Sequence, residues 1–458
     1  MHSMIDVGIV ILFLGFNLIV GLWHKSRSKD IRDYAVGGKN FSTGVLTATI
    51  AATWISGSSF FVDLENTYIS GLGYMLPFLG APLCLLITGY IAQHMGKLLN
   101  HLSVAEAIGS VYGKTARTIT AVSAIAGDIG YIALQFGVMG KILSIILGIN
   151  STWGAFCAAS VVIVYSSVGG IKSVTFTDVI QFFTFGTIIP LIALSVWDRL
   201  GDTHLVAHTL ATHPNFSLKH VCTSGTGIMG MLSLFFYAIM PPLGNPAMFQ
   251  RMAMAKSPRQ VRNAFGYSAL ICLLVQLLIS WIGILLLADN AALNKSEIMP
   301  HLLHTHIGTV MKGLLASGIL AMAMSTADSC LNAITVLFAN DIIAPIMEQK
   351  ERPLRIAKIF SWIVGFAALF VSINVPDLLS IILLSGSVSM PIITMPLVIA
   401  ILGFRTSPRV AVMAMTAGFI TVILWSLCYD NESSIFPGML ANCLGLFGSH
   451  YLLREEGG

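Results

Sequence analysis

Charge is scarce in this chain. Of its 458 residues only 10% are Asp, Glu, Lys or Arg, while 55% are hydrophobic, and the mean hydropathy is +0.83. Soluble domains carry about 25% charged residues, and the apolar runs here recur with only short loops between them, so no soluble domain fits anywhere. Paired cysteines are missing too. The seven present, Cys84, Cys157, Cys222, Cys272, Cys330, Cys428 and Cys443, stand without any CxxC spacing, which removes the usual zinc and redox motifs and leaves them as small apolar fillers. No nucleophile-base constellation or phosphate loop occurs, so an enzyme is not expected. The first apolar run lacks a basic start and a small-residue cleavage site and reads as a retained helix, not a signal peptide. The formal net charge of +4 carries no nucleic-acid signal, because the basic residues gather where membrane topology requires them.

What is present is a series of thirteen candidate spans, near 5–23, 44–61, 72–93, 118–147, 151–168, 174–196, 228–249, 264–287, 310–338, 356–373, 378–402, 410–427 and 436–453. The expectation is an all-α polytopic membrane protein with 13 transmembrane helices. If the N-terminus is outside, the cytoplasmic loops hold twenty of the 25 Lys and Arg residues, among them Lys25, Arg27, Lys29, Lys172, Arg251, Lys350 and Arg352. The positive-inside rule then places the N-terminus outside and the C-terminus in the cytoplasm of a plasma (inner) membrane.

Against that apolar background the polar residues inside spans are informative. The stretch LLASGILAMAMSTADSCLN, Leu314 to Asn332, carries Asp328 in an apolar helix. A lone Asp at the centre of a membrane helix costs roughly 2.5 to 3.5 kcal/mol, so it requires a partner, a cavity or a cation. At 100° per residue Ser325, Asp328, Ser329 and Asn332 share one face with Thr326 at its margin, a row of oxygens suited to a small alkali ion. Only Asp128 and Asp178 join Asp328 within spans. Asp178 begins a helix after the Gly169-Gly170 turn, and Asp128 shares a face with Tyr131 and Gln135, open either to a polar solute or to packing.

Two spans are interrupted. ATIAATWISGSSFF places Ser56-Gly57-Ser58-Ser59 in mid-membrane, and FFYAIMPPLGNPAMFQR places Pro241, Pro242, Gly244, Asn245 and Pro246 within six residues. Broken helices free backbone carbonyls and are tolerated only where they line protein or a cavity. They open consecutive five-span blocks, and an odd block length inverts the second relative to the first. The expected organisation is a single transporter domain: an extra N-terminal helix and loop over 1–43, inverted repeat 1 over 44–197, an external linker over 198–227, inverted repeat 2 over 228–402, and two C-terminal helices over 403–458.

Four stretches, VGGKNFSTGVLTATIAATWISG, GGIKSVTFTDVIQFF, GILAMAMSTADSCLNAITVLFANDI and GNPAMFQRMAMAKS, make the chain resemble the sodium:solute symporter family over essentially its whole length. The resemblance implies a five-plus-five, LeuT-like inverted repeat and inward transport of a small polar solute with sodium. It implies a sodium site formed by the carbonyls of Ala52, Ile55 and Met322 with the hydroxyls of Ser325 and Thr326. In some members a second sodium sits among residues matching Asp178, Ser325, Asp328 and Ser329, although Asp328 stands where such members have a hydroxyl. Within the family, ATWISG and MSTADS look most like the high-affinity choline transporters, which cage a quaternary ammonium with aromatics. Trp54 matches one cage position and Tyr131 conservatively replaces a Trp, whereas Asn245 and Ala81 stand where other aromatics would align, so a choline-like amine and an amino acid such as proline both remain open. The residues expected around the solute are Trp54, Ser56, Tyr131, Gln135, Tyr237 and Asn245. Small-molecule solute and membrane lipid are the expected partners, with no nucleic acid and no obligatory protein. The rivals are a proton-coupled carrier of the same fold, relayed by Asp128, Asp178 or Asp328, and a transporter-like sensor, for which nothing follows Glu455-Glu456 and the last two glycines.

Overall fold

The computed structural model describes residues 4–23, 30–223, 227–346, 353–375, 378–428 and 434–455. These are almost entirely helical. In chain order the helices are α1 (Met4–Trp23), α2 (Ile31–Val36), α3 (Thr43–Trp54), α4 (Gly57–Ser70), α5 (Leu72–Phe78), α6 (Gly80–Ala92), α7 (Val104–Leu147), α8 (Ser151–Leu200), α9 (Thr203–Thr212) and α10 (Leu218–Thr223). They continue as α11 (Gly227–Ala238), α12 (Pro246–Ala253), α13 (Pro258–Asp289), α14 (Ile298–His301), α15 (Met311–Leu337), α16 (Pro353–Asn374), α17 (Leu378–Ile401), α18 (Pro408–Cys428) and α19 (Ile435–Glu455).

Among the described residues eight helices are long and apolar enough to cross a membrane, or ten if two bent pairs each count as one span. Part of the difference from thirteen has a geometric cause. The 50 residues of α8 form one helical run. At 1.5 Å per residue that is about 75 Å, more than twice the roughly 30 Å hydrocarbon core. The run turns at Gly170, whose backbone has a positive φ outside the helical region (φ 63°, ψ −169°). A Cβ there would lie 2.6 Å from the Tyr34 ring, so only glycine fits both the angle and the space. Beside this turn the Lys172 ammonium pairs with Asp33 at 2.7 Å, with both side chains partly exposed. In the same way α7 bends at Gly113 (φ 86°).

The centre of the molecule is α15. Its most apolar window is 94% buried, against 22% for that of α1, because α1, α3, α4, α7, α8, α12 and α16 all pack around it. The polar side chains of a helix surrounded in this way have to find their partners inside the protein and not in water. Its N-terminus is held by α1: Asp6 Oδ1 accepts the N–H groups of Val310 at 2.8 Å and Gly313 at 2.9 Å, a carboxylate where the helix dipole favours one.

Two expectations are corrected here. Asp128, Asp178 and Asp328 are not the only buried carboxylates, since Asp6, Asp63 and Asp341 are also buried. Asp63 accepts from the Tyr74 hydroxyl at 2.7 Å and Asp341 pairs with Arg117 at 2.7 Å. Helical turns past the apolar runs carry Asp63 and Asp341 into the interior, and Asp6 is buried at the start of α1. Arg251, counted among the cytoplasmic loop charges, is 0% exposed within α12. Lys25, Arg27, Lys29, Lys350 and Arg352 lie outside the described residues.

Candidate functional site

The first interruption is built from short-range chemistry. The ladder of α3 ends at Ile55, which is extended (φ −81°, ψ 93°). Ser56 caps α4, its hydroxyl accepting the Ser59 N–H at 3.2 Å. The two segments meet at 58°. Ending a helix in mid-membrane leaves its last carbonyls without intrahelical partners, and α15 supplies them. Ser325 Oγ donates to the Ala52 carbonyl at 2.7 Å and Thr326 Oγ1 to the Thr53 carbonyl at 3.2 Å. Both hydroxyls also reach their own helix at the Met322 carbonyl, at 3.0 and 3.1 Å. The approach is close because Gly57 has no side chain: a Cβ there would stand 2.7 Å from Ala323 Cβ. The hydroxyls of Ser325 and Thr326 and the carbonyls of Ala52, Thr53 and Met322, the kind of oxygens an alkali ion needs, are therefore gathered in one buried place. This donor set of neutral oxygens fits sodium.

One turn away the chemistry differs. The expected second ligand set is crossed by Arg251. Its Nη2 donates to Asp178 Oδ2 at 3.0 Å and to the Ser329 hydroxyl, its Nε donates to Thr49 Oγ1 at 3.1 Å, and Thr49 in turn donates to Asp178. Arg251 and Asp178 are both fully buried. Asp328 turns away to α8, accepting from the Tyr165 hydroxyl at 2.6 Å and from Thr177 at 3.4 Å. A second sodium does not fit this arrangement, because a guanidinium already takes oxygens of Asp178 and Ser329 and would repel an ion set between them. The oxygen row of α15 thus serves three neighbours: Ser325 the broken helix, Asp328 α8, and Asn332 α12, where it accepts from Gln250 at 2.9 Å.

The second interruption separates α11 from α12 by a short turn, Pro242–Gly244, and a 50° bend. Asn245 caps α12 by accepting the Met248 N–H at 3.0 Å, and its amide donates to Asp128 Oδ1 at 3.4 Å. A small cavity next to this break is lined by Tyr131, Gly244, Asn245, Ser389, Met390 and Thr394. Of the six residues expected around a solute, the structure brings Tyr131 and Asn245 to this cavity. Gln135 joins the first interruption, donating to Ser58 at 3.3 Å, and Ser56 shares that hydroxyl cluster at 2.8 Å from Ser58. Half-buried Trp54 and Tyr237 are not in the cavity lining; the Trp54 side chain meets the Cys272 thiol on α13.

Sequence reasoning missed Tyr165 and Arg251. An Asp inside an apolar helix signals that some partner exists, but nothing in the spacing says which helix supplies it. Arg251 carried a usable signal: it lies only five residues after the broken segment's last proline, too soon for the chain to have left the membrane.

The model of the sodium:solute symporter family matches residues 34–418. The chain belongs to that family. Among its relatives, the high affinity choline transporter 1 of Homo sapiens is 22% identical over 73% of this chain and 61% of that protein. The Torpedo marmorata choline transporter is 30% identical over 38% of this chain and 32% of that one. The chain thus spans about a third to three-fifths of these choline transporters. The sodium/sialic acid symporter SiaT of Proteus mirabilis is 22% identical over 81% of this chain and 77% of that protein. These symporter-family relatives are transporters, not enzymes. In fold the chain is similar to a substrate-bound, outward-open Na+-coupled sialic acid symporter, with a TM-score of 0.87, 21% identity and 98% coverage of both chains. Mhp1, a nucleobase-cation-symport-1 transporter, gives a TM-score of 0.60 at 11% identity over 94% and 96% of the two chains. These symporter-family likenesses make the chain an integral membrane protein of the LeuT-like type.

Proposed function

We propose that this chain is a sodium-coupled symporter that imports a small polar organic solute by alternating access. The carrying observation is the meeting of Ser325 and Thr326 with the carbonyls of the broken α3–α4 segment. Sodium is cargo and energy source together: one charge moved through 100 mV supplies about 2.3 kcal/mol. The ligands are the hydroxyls of Ser325 and Thr326 and carbonyls from Ala52, Thr53 or Ile55, and Met322. They come from two separate elements, so the site exists only while α15 and the break stay together. Rocking of one repeat against the other separates them and opens the solute pocket inward.

With Arg251 fixed beside Asp178 and Ser329, the proposal is one sodium per cycle. The reading includes thirteen crossings, with α8 counted as two, repeats over 44–197 and 228–402, an external N-terminus and a plasma (inner) membrane location. The solute is a choline-like amine or a small amino acid such as proline. The test is uptake by proteoliposomes with sodium on one side only, screened over choline, betaine, proline and other small amino acids. Accumulation that needs inward-directed sodium, with a Hill coefficient near one, is expected. Uptake driven by a pH gradient without sodium would instead make the chain a proton-coupled carrier.

A further inference from the structure

We infer that Asp128 is the counter-charge for a small organic cation, so that the solute of this carrier is an ammonium compound and not an acid. The inference rests on the symport reading and names the solute class of the same site. Family membership does not decide the point, since its named relatives include a choline transporter and a sialic acid symporter, one for a cation and one for an anion.

Asp128 is 1% exposed on α7, and its Oδ2 has no hydrogen-bond partner among the described residues. Its Oδ1 has a long bond from Asn245 and its carboxyl group meets the Cys330 thiol, a weak donor. An anion at this depth is costly unless a cation answers it. The other buried carboxylates are already answered: Asp178 by Arg251 and Thr49, Asp328 by Tyr165 and Thr177, Asp63 by Tyr74, Asp341 by Arg117, and Asp6 by two backbone N–H groups. Among the buried aspartates of the described residues, Asp128 alone has no full-strength donor.

The surroundings carry the same sign. Asn245, which reaches Asp128, also lines the cavity with Tyr131, and no lining residue is basic. Arg251, the guanidinium buried nearby in α12, is committed to Asp178. Gln135, on the same face of α7 two turns further on and bonded to Ser58 at the first interruption, presents a further buried acceptor, Oε1, without a partner. Acceptors and an aromatic ring with no free cation suit an ammonium, which a carboxylate and a π-face both attract, and oppose a carboxylic acid.

The experiment is thermal unfolding of the purified full chain, in sodium and in potassium, with four probes: choline, its neutral carbon isostere 3,3-dimethylbutan-1-ol, tetramethylammonium and sialic acid. Choline or tetramethylammonium is expected to raise the unfolding temperature while the neutral isostere and the acid do not. Asp128→Asn should abolish that response and keep the response to sodium, which shows that it folds; Asp128→Glu should retain the preference for cations. An equal response to the isostere or the acid, or no ammonium response in wild type, overturns the inference whether or not Asp128→Asn folds. Failure to respond to sodium counts against the symport reading alone, because the probes are also read in potassium.

Discussion

At the residue scale, the buried Arg251 ties four helices together. Its guanidinium joins α12 to Thr49 of α3, Asp178 of α8 and Ser329 of α15. Removing one partner of a buried pair strands the other charge at a cost of about 3 to 5 kcal/mol, whereas removing both costs much less. Arg251→Met is therefore expected to destabilise the protein by that amount, and Arg251→Met with Asp178→Asn to recover most of it. Denaturant unfolding of the two single variants and the double variant checks this, and additive losses would show that the pair is not coupled. The Asp328 to Tyr165 contact is different in kind, a carboxyl group held by hydroxyls from the neighbouring helix. That Asp328 needs a partner was legible in the sequence; that Tyr165 supplies it was not. The oxygen face of α15 was, since a period of 3.6 places Ser325, Asp328, Ser329 and Asn332 together, but which helix meets each residue depends on how distant segments pack.

At the element scale, the two interrupted helices were the most legible features of the fold. Clustered Gly, Pro, Ser and Asn in mid-span weaken or end a helix, and the breaks fall at Ile55–Ser56 and at Pro242–Gly244. The hidden part was how closely α15 approaches the first break. Gly57→Val is expected to push α4 off Ala323, where even a Cβ would be 2.7 Å away. It should lower stability by about 1 to 3 kcal/mol and, through the displaced carbonyls, weaken sodium affinity by about tenfold or more, equivalent to about 1.4 kcal/mol. Sodium-dependent protection against thermal unfolding measures both. Retention of wild-type sodium affinity would show that the contact between α4 and α15 does not shape the site. The long helices were read in part correctly and in part not. The turn at Gly169-Gly170 was expected, while the buried Asp63 and Asp341 sit on helical turns beyond the apolar runs and Asp6 at the start of the first, where burial comes from neighbours and not from the local sequence.

At the scale of the whole molecule, the proposal places α9 and the rest of the linker outside the membrane and the turn at Lys172 in the cytoplasm. Introducing Asp202→Cys and Lys172→Cys separately, each with the exposed Cys157 and Cys428 and the half-buried Cys222 and Cys443 replaced by Ser, gives a direct check on orientation. An impermeant maleimide added to intact cells should label the first and not the second; the reverse pattern would invert the topology. The account's central claim is that α15 and a broken helix jointly hold one sodium ion. Equilibrium binding of radioactive sodium to purified wild type, Ser325→Ala and Thr326→Ala tests it most directly. One ion per chain in wild type is expected, with affinity at least about tenfold weaker in each variant. Unchanged affinity in both variants, or two ions bound per chain, would contradict it.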